Sequence, residues 1–200
     1  MKPLLALIAA YLAGGIPFGF LLVKLTTGGD VRSMGSGNIG ATNVLRTTGR
    51  SMAIATLLLD IAKGFLAVWF AARLTSGSPL WMSAAALAVM AGHAYPVFLK
   101  FQGGKAVASF IGAFLFLTPV ALLSVLIVFV IVVAATRYIS LGSIVAAGTF
   151  PFAVWLILHP PAPIVIASLL AGAFIVYRHG ANIERIRAGN ENVFRFNRPR

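Results

Sequence analysis

Three short stretches of this chain carry residue types that can do chemistry together, and all three point to phosphate. The first runs Met34-Gly35-Ser36-Gly37-Asn38-Ile39-Gly40-Ala41-Thr42-Asn43-Val44-Leu45-Arg46 and lies between two long apolar segments. Gly35, Gly37 and Gly40 let the backbone turn tightly and bring its N–H groups close to a ligand. Ser36, Asn38, Thr42 and Asn43 add hydroxyl and carboxamide hydrogen bonds, and Arg46 can fork onto a phosphate. A helix starting near Ala41 would direct its positive N-terminal end to the same place. An ordinary polar loop between membrane helices is the competing explanation.

The second stretch begins at Gly92-His93-Ala94-Tyr95-Pro96 and continues to Phe101-Gln102-Gly103-Gly104-Lys105. Gly103 and Gly104 before Lys105, at the entry to a helix, make a second phosphate cradle. The spacing is not that of a nucleotide P-loop. His93 is a candidate general base or phosphate ligand, with a hydrogen-bonded structural histidine as the alternative. The third stretch, Tyr177-Arg178-His179-Gly180-Ala181-Asn182-Ile183-Glu184, adds further donors. Asp60 and Lys63 stand three apart inside an apolar segment and share a helix face, either as an internal ion pair or in contact with substrate. His159 sits among prolines and has no role. The dispersed histidines and four acidic residues offer no metal site.

The elements that must hold these stretches are membrane helices. Of the 200 residues, 60% are hydrophobic and 10% charged, against about 25% charged in soluble domains. Apolar segments fall at about 3–23, 51–72, 80–99, 106–117, 120–136, 139–158 and 162–178. The expected fold is therefore all-α, a polytopic bundle of about seven transmembrane helices in a single domain over 1–200. Segment 106–117 is short for a crossing, which takes roughly 20 residues; it reads as a helix that begins in a recessed loop or as a re-entrant piece. Gly14, Gly15, Gly19, Gly112 and Gly172 suit close helix packing. The tail from 180 suits a short interfacial helix, with 190–200 loose. The absence of cysteine rules out disulfides and thiolate metal sites. The net charge of +12 fits loops facing anionic lipid rather than nucleic acid.

Basic residues set the orientation. With the N-terminus outside and all segments crossing, thirteen of the sixteen lie inside, including Arg195, Arg198 and Arg200; only Lys2 and Arg73 lie outside, and Lys63 is within a segment. This predicts N-out/C-in, with the three polar stretches and the tail on the cytoplasmic face.

GSGNIGATNVLR, DIAKG, GHAYPVFLKFQGGKAVAS and YRHGANIERIRAGNE together resemble the bacterial acyl-phosphate-dependent glycerol-3-phosphate acyltransferases. The resemblance implies a bacterial inner-membrane enzyme, without cofactor or metal. It would transfer a fatty acyl group from acyl phosphate to the 1-hydroxyl of glycerol 3-phosphate, giving lysophosphatidate and phosphate at the first step of phospholipid synthesis. Membrane lipid and the enzyme that forms acyl phosphate are the implied partners. Ser36, Asn38 and Arg46 match that family's first functional motif; Gly103, Gly104 and Lys105 match its glycerol-phosphate-binding second; His179, Asn182 and Glu191 match its third, in which the glutamate is structural. Ala106 departs from the family, which usually has glycine there.

From these readings the candidate catalytic residues are Ser36, Arg46, Lys105, His93 and His179. The candidate substrate contacts are Gly35, Gly37, Asn38, Gly40, Thr42, Asn43, Gly103, Gly104, Asn182 and Lys63, with Asp60 and Glu191 structural. The proton acceptor stays open among His93, His179 and a substrate phosphate oxygen. A phosphate or phospho-metabolite transporter shares the helices and anion sites. It would also need a polar path to the outer side, for which only Asp60 and Lys63 are available. A coenzyme A-dependent acyltransferase would use a histidine–carboxylate pair with the spacing of His179 and Glu184.

Overall fold

The computed structural model describes residues 1–194, and among these every regular element is helical. Arg195, Arg198 and Arg200, and the last part of the tail expected to be loose, lie outside the described residues. The chain divides between Leu117 and Thr118 into two compact units.

The first unit holds α1 (Lys2–Gly15), α2 (Phe18–Thr27), α3 (Ala41–Thr47), α4 (Arg50–Leu74), α5 (Pro79–Ala94) and α6 (Val107–Leu117). The apolar run expected as one helix over 3–23 is broken between α1 and α2. Pro17 has no N–H and disfavours helical backbone in the residue before it, and Ile16 is extended, with φ −65° and ψ 113°. In hydrocarbon every backbone carbonyl exposed by a break needs a partner. Here Lys63 of α4 donates to the Ile16 carbonyl at 2.8 Å.

Glycines bring the helices of this unit together. A β-carbon at Gly14 would strike the Val89 carbonyl, and one at Gly92 the Tyr11 carbonyl, so α1 and α5 pack backbone to backbone. Gly64 and Gly112 do the same for α4 and α6, against the carbonyls of Ser109 and Ile61. Gly19 seats the start of α2 on the carbonyl of Ile39, within the first polar stretch. Close small-residue packing takes the place of a hydrophobic driving force that lipid cannot supply.

The second unit holds α7 (Pro119–Thr136), α8 (Ile139–Leu158), α9 (Ala162–Arg178) and α10 (Gly180–Arg187). Prolines occupy the first turns of α7 and α9, where a missing N–H breaks no helical bond. Gly172 of α9 meets the Ala147 carbonyl of α8. Leu123, Ile127, Val130 and Ile131 of α7 are each more than half exposed, which gives that helix an apolar outer face suited to lipid.

The expected apolar segments are helical for most of their length, with 80–99 leaving the α-helix at Ala94 and closing in a 3-10 turn over Val97–Leu99, but not all are long enough to cross alone. Five stretches of the described residues are, counting Lys2–Thr27 and Pro79–Leu99 as one each, and α9 with α10 makes a sixth when their 55° bend is taken as one span. The short α6 has 11 residues and spans about 16 Å, against about 30 Å of hydrocarbon.

Gly112→Val should destabilise the protein in detergent by about 1–3 kcal/mol through overpacking, whereas Gly148→Ala, with open space around the added carbon, should leave its melting temperature unchanged or higher. Equal melting temperatures for Gly112→Val and wild type would contradict the close α4–α6 approach.

Candidate functional site

The first polar stretch is built around one carboxamide. Asn43 is 1% exposed, and its Oδ1 accepts from the Ser36 amide at 2.8 Å. Its Nδ2 donates to the carbonyls of Asn38 at 2.8 Å, Met34 at 3.0 Å and Val31 at 3.2 Å. Four backbone groups of the loop thus close on one side chain, as burial of polar backbone requires. This geometry favours a loop-shaping role for Asn43 over the substrate contact expected of it. Asn38 acts in the same way, accepting from the Gly40 amide at 2.8 Å through Oδ1. Gly35 has φ +57°, and a β-carbon there would strike Asn43 Oδ1, so only glycine allows both the turn and the carboxamide. Gly37 also lies in the left-handed region, at φ +71°.

Around this frame Ser36 is exposed, while Thr42 and Arg46 are half-buried on the first and last turns of α3. That helix starts at Ala41, with Gly40 as its N-cap. The stretch therefore has a rigid polar interior and presents the Ser36 hydroxyl at its surface.

The second stretch is pinned to the end of α5. The Gly103 amide donates to the Ala94 carbonyl and the Gly104 amide to the His93 carbonyl, both at 3.1 Å. A β-carbon at Gly103 would strike the His93 carbonyl, and one at Gly104 would strike His93 Nε2. These glycines are needed for packing against His93, a reason the sequence reading did not supply. Lys105 follows, half-buried, and Ala106 caps the start of α6, its carbonyl accepting from the Phe110 amide at 2.8 Å. Ala106 is fully buried at φ +61°, a conformation that costs an alanine about 1–2 kcal/mol and a glycine little.

Behind this loop lies a cluster of buried polar groups. Asp60 and Lys63, 2% and 5% exposed, pair at 2.7 Å. Lys63 also reaches the Ile16 carbonyl and lies 5.5 Å from the Phe18 ring centroid. His93 Nδ1 is 3.2 Å from Ser109 Oγ and 3.7 Å from Asp60 Oδ1. The structure thus binds the Lys63 ammonium into an internal ion pair and a helix break. This favours the ion-pair explanation of its spacing over the substrate contact. Ser109 and the Ile16 carbonyl were not identified as members of the cluster from sequence. Only the place of Ser109 in the first turn of the helix that follows Lys105 could have suggested it.

In the second unit, His179 closes α9 and precedes α10. It is 3% exposed, with Nδ1 2.7 Å from the Ile175 carbonyl. Glu191 is the hub of the tail: Oε1 accepts from Asn182 at 2.8 Å and Ser140 at 3.0 Å, and Oε2 accepts from Arg185 at 2.8 Å. Burial disfavours its charge, but these hydrogen bonds outweigh burial and hold the carboxyl below its ordinary range. The Phe194 amide donates to the Arg137 carbonyl at 2.8 Å and ties the tail to the α7–α8 turn. Asn182 is 5% exposed and joined to Glu191, so its Nδ2 shapes the tail. Glu184 is exposed on α10.

The family profile described as glycerol-3-phosphate acyltransferase matches residues 4–189. A glycerol-3-phosphate acyltransferase of Geotalea daltonii is 46% identical over 189 residues, covering 94% of this chain and 96% of that protein. One from Trichlorobacter lovleyi is 48% identical, covering 93% of this chain and 94% of its own length. Among solved structures, the glycerol 3-phosphate form of PlsY (YgiH), an integral membrane glycerol 3-phosphate acyltransferase, superposes with a TM-score of 0.92 at 36% identity, covering 98% of this chain and 96% of that one. Its lysophosphatidic acid form gives 0.89 at 35% identity over the same shares.

Proposed function

The chain belongs to the glycerol-3-phosphate acyltransferase family, and from that premise we propose how its own residues carry the reaction. It is an integral membrane acyltransferase of phospholipid biosynthesis that acylates glycerol 3-phosphate. The donor we assign is an acyl phosphate, as the family implies. The glycerol 1-hydroxyl oxygen attacks the acyl carbonyl, the bond from that carbon to the phosphate oxygen breaks, and phosphate leaves with the electron pair. The hydroxyl proton passes to a phosphate oxygen of the substrates, whose second pKa near 6 suits a base at neutral pH.

An activated donor needs charge stabilisation and alignment rather than a protein nucleophile. Lys105 and Arg46 supply the positive charge, Lys105 for glycerol 3-phosphate and Arg46 for the donor's phosphate. Ser36 donates a hydrogen bond to phosphate. His179 and Asn182 are assigned to substrate by their match to the family's third motif, with Asn182 also holding Glu191. The observation that carries this reading is the Gly103-Gly104-Lys105 loop, fixed by two backbone hydrogen bonds with a half-buried lysine at its end. His93 supports that loop. A coenzyme A-type dyad is disfavoured because His179 is turned to the Ile175 carbonyl and Glu184 is exposed.

The orientation we propose is N-out/C-in, in a bacterial inner membrane, with the Ser36 and Lys105 loops on the cytoplasmic face. The bias of basic residues supports it. We further propose that α6 crosses with help from the Gly103–Ala106 stretch. The amides of Gly103 and Gly104 have partners on α5, which non-helical backbone at membrane depth requires. The acyl-phosphate-forming enzyme is a proposed partner for delivery of the donor.

Two outcomes are expected. Lys105→Ala and Arg46→Ala should fold yet lose about 2–5 kcal/mol of transition-state stabilisation, or about 30-fold to several thousandfold in kcat/KM with palmitoyl phosphate and glycerol 3-phosphate. Near-wild-type kinetics in both would remove the assignment. For orientation, Ser33→Cys should react with a membrane-impermeant maleimide only after cells are opened, and Ser76→Cys in intact cells. Labelling of both in intact cells would refute the topology.

A further inference from the structure

The buried cluster behind the Gly103-Gly104-Lys105 loop goes beyond the needs of a membrane ion pair. Lys63 is satisfied by Asp60 and the Ile16 carbonyl. Yet Asp60 Oδ1, the oxygen that meets Lys63, also lies 3.7 Å from His93 Nδ1. The same nitrogen is 3.2 Å from Ser109 Oγ on α6. The opposite ring nitrogen, Nε2, faces the α-carbon of Gly104 so closely that no side chain fits between them. The His93 main chain holds the loop as well, through the Gly104 amide. The imidazole is therefore a strut, with Asp60 and Ser109 at one end and the loop at the other, and it is 4% exposed.

We infer that Asp60 and Ser109 are positioning residues for glycerol 3-phosphate binding, acting through the His93 ring on the glycine–glycine–lysine loop. The inference rests on the assignment of that loop to glycerol 3-phosphate. Asp60 fixes one edge of the ring by charge and Ser109 by its hydroxyl. The other edge then sets where the Gly104 backbone, and Lys105 after it, can lie. The alternative is that Asp60 only neutralises Lys63; removing both charges together, with the amide of Lys63→Gln still able to donate to the Ile16 carbonyl, then leaves KM for glycerol 3-phosphate unchanged.

The test is steady-state kinetics of the purified full-length protein with palmitoyl phosphate and glycerol 3-phosphate. The variants are Asp60→Asn/Lys63→Gln together, Ser109→Ala and His93→Gln. The charge-balanced double variant should raise KM for glycerol 3-phosphate about tenfold, with kcat and KM for palmitoyl phosphate within about twofold of wild type. Its effect and that of His93→Gln should not add, because both act through one ring. A wild-type KM for glycerol 3-phosphate in the double variant, or fully additive effects with His93→Gln, would overturn the inference. If the double variant does not fold, Ser109→Ala, which removes one hydroxyl and no charge, carries the test. A several-fold rise in the same KM supports the inference, and no rise overturns it. Lys105→Ala separates the two levels. If it leaves KM for glycerol 3-phosphate unchanged, the loop is not the phosphate site and the functional assignment fails with the inference. If it raises that KM while the double variant does not, only the inference fails.

Discussion

A polar group without a partner is costly where water is excluded, and much of the internal structure of this protein follows from that constraint. Pro17 opens a helix inside an apolar run, and Lys63 answers the exposed Ile16 carbonyl. A lysine at that depth is costly alone, so Asp60 accompanies it at 2.7 Å. Asn43 gathers the backbone of the first loop in the same manner. Glu191 gathers Ser140, Asn182 and Arg185 in the second unit. At each place one buried polar side chain closes several partners and so fixes a shape.

Those fixed shapes are what the chemistry requires. Acyl transfer from the proposed acyl phosphate to glycerol 3-phosphate is limited by the alignment of the two substrates and by charge at the reacting carbonyl. A loop whose backbone is fastened by Asn43, and another fastened to the end of α5, hold their surface groups with little freedom. Ser36 stands exposed on the first loop and Lys105 half-buried on the second. The residues proposed to touch substrate are thus few, and their supports are numerous. Ala106 shows that the second loop is held under constraint, since an alanine is kept at φ +61° beside the lysine.

Much of this was legible in the sequence. The all-helical membrane fold follows from long uncharged runs, and the three polar stretches stood out by glycine, carboxamide and basic content. The start of α3 at Ala41 and the close packing at Gly14, Gly19, Gly112 and Gly172 were also readable. The inward turn of Asn43 was not, because a loop carboxamide gives no sign of which way it points until the backbone around it closes. The division of labour between Asp60, Lys63, His93 and Ser109 was hidden for a related reason: its members lie on α4, α5 and α6 and meet only once Gly64 and Gly112 let α4 and α6 approach. The break at Pro17 was readable from the proline alone, yet the apolar run around it read as one helix. The count of crossings depends on α6, whose short length the sequence showed but whose entry loop it could not place.

The central claim is that this fold aligns two substrates for direct transfer, without an acyl-enzyme. Initial rates measured over a grid of palmitoyl phosphate and glycerol 3-phosphate concentrations test it most directly. Double-reciprocal lines that intersect, with no acyl adduct on any peptide after incubation with donor alone, are the predicted result. Parallel lines, together with an acyl mass on the peptide carrying Ser36, would contradict it.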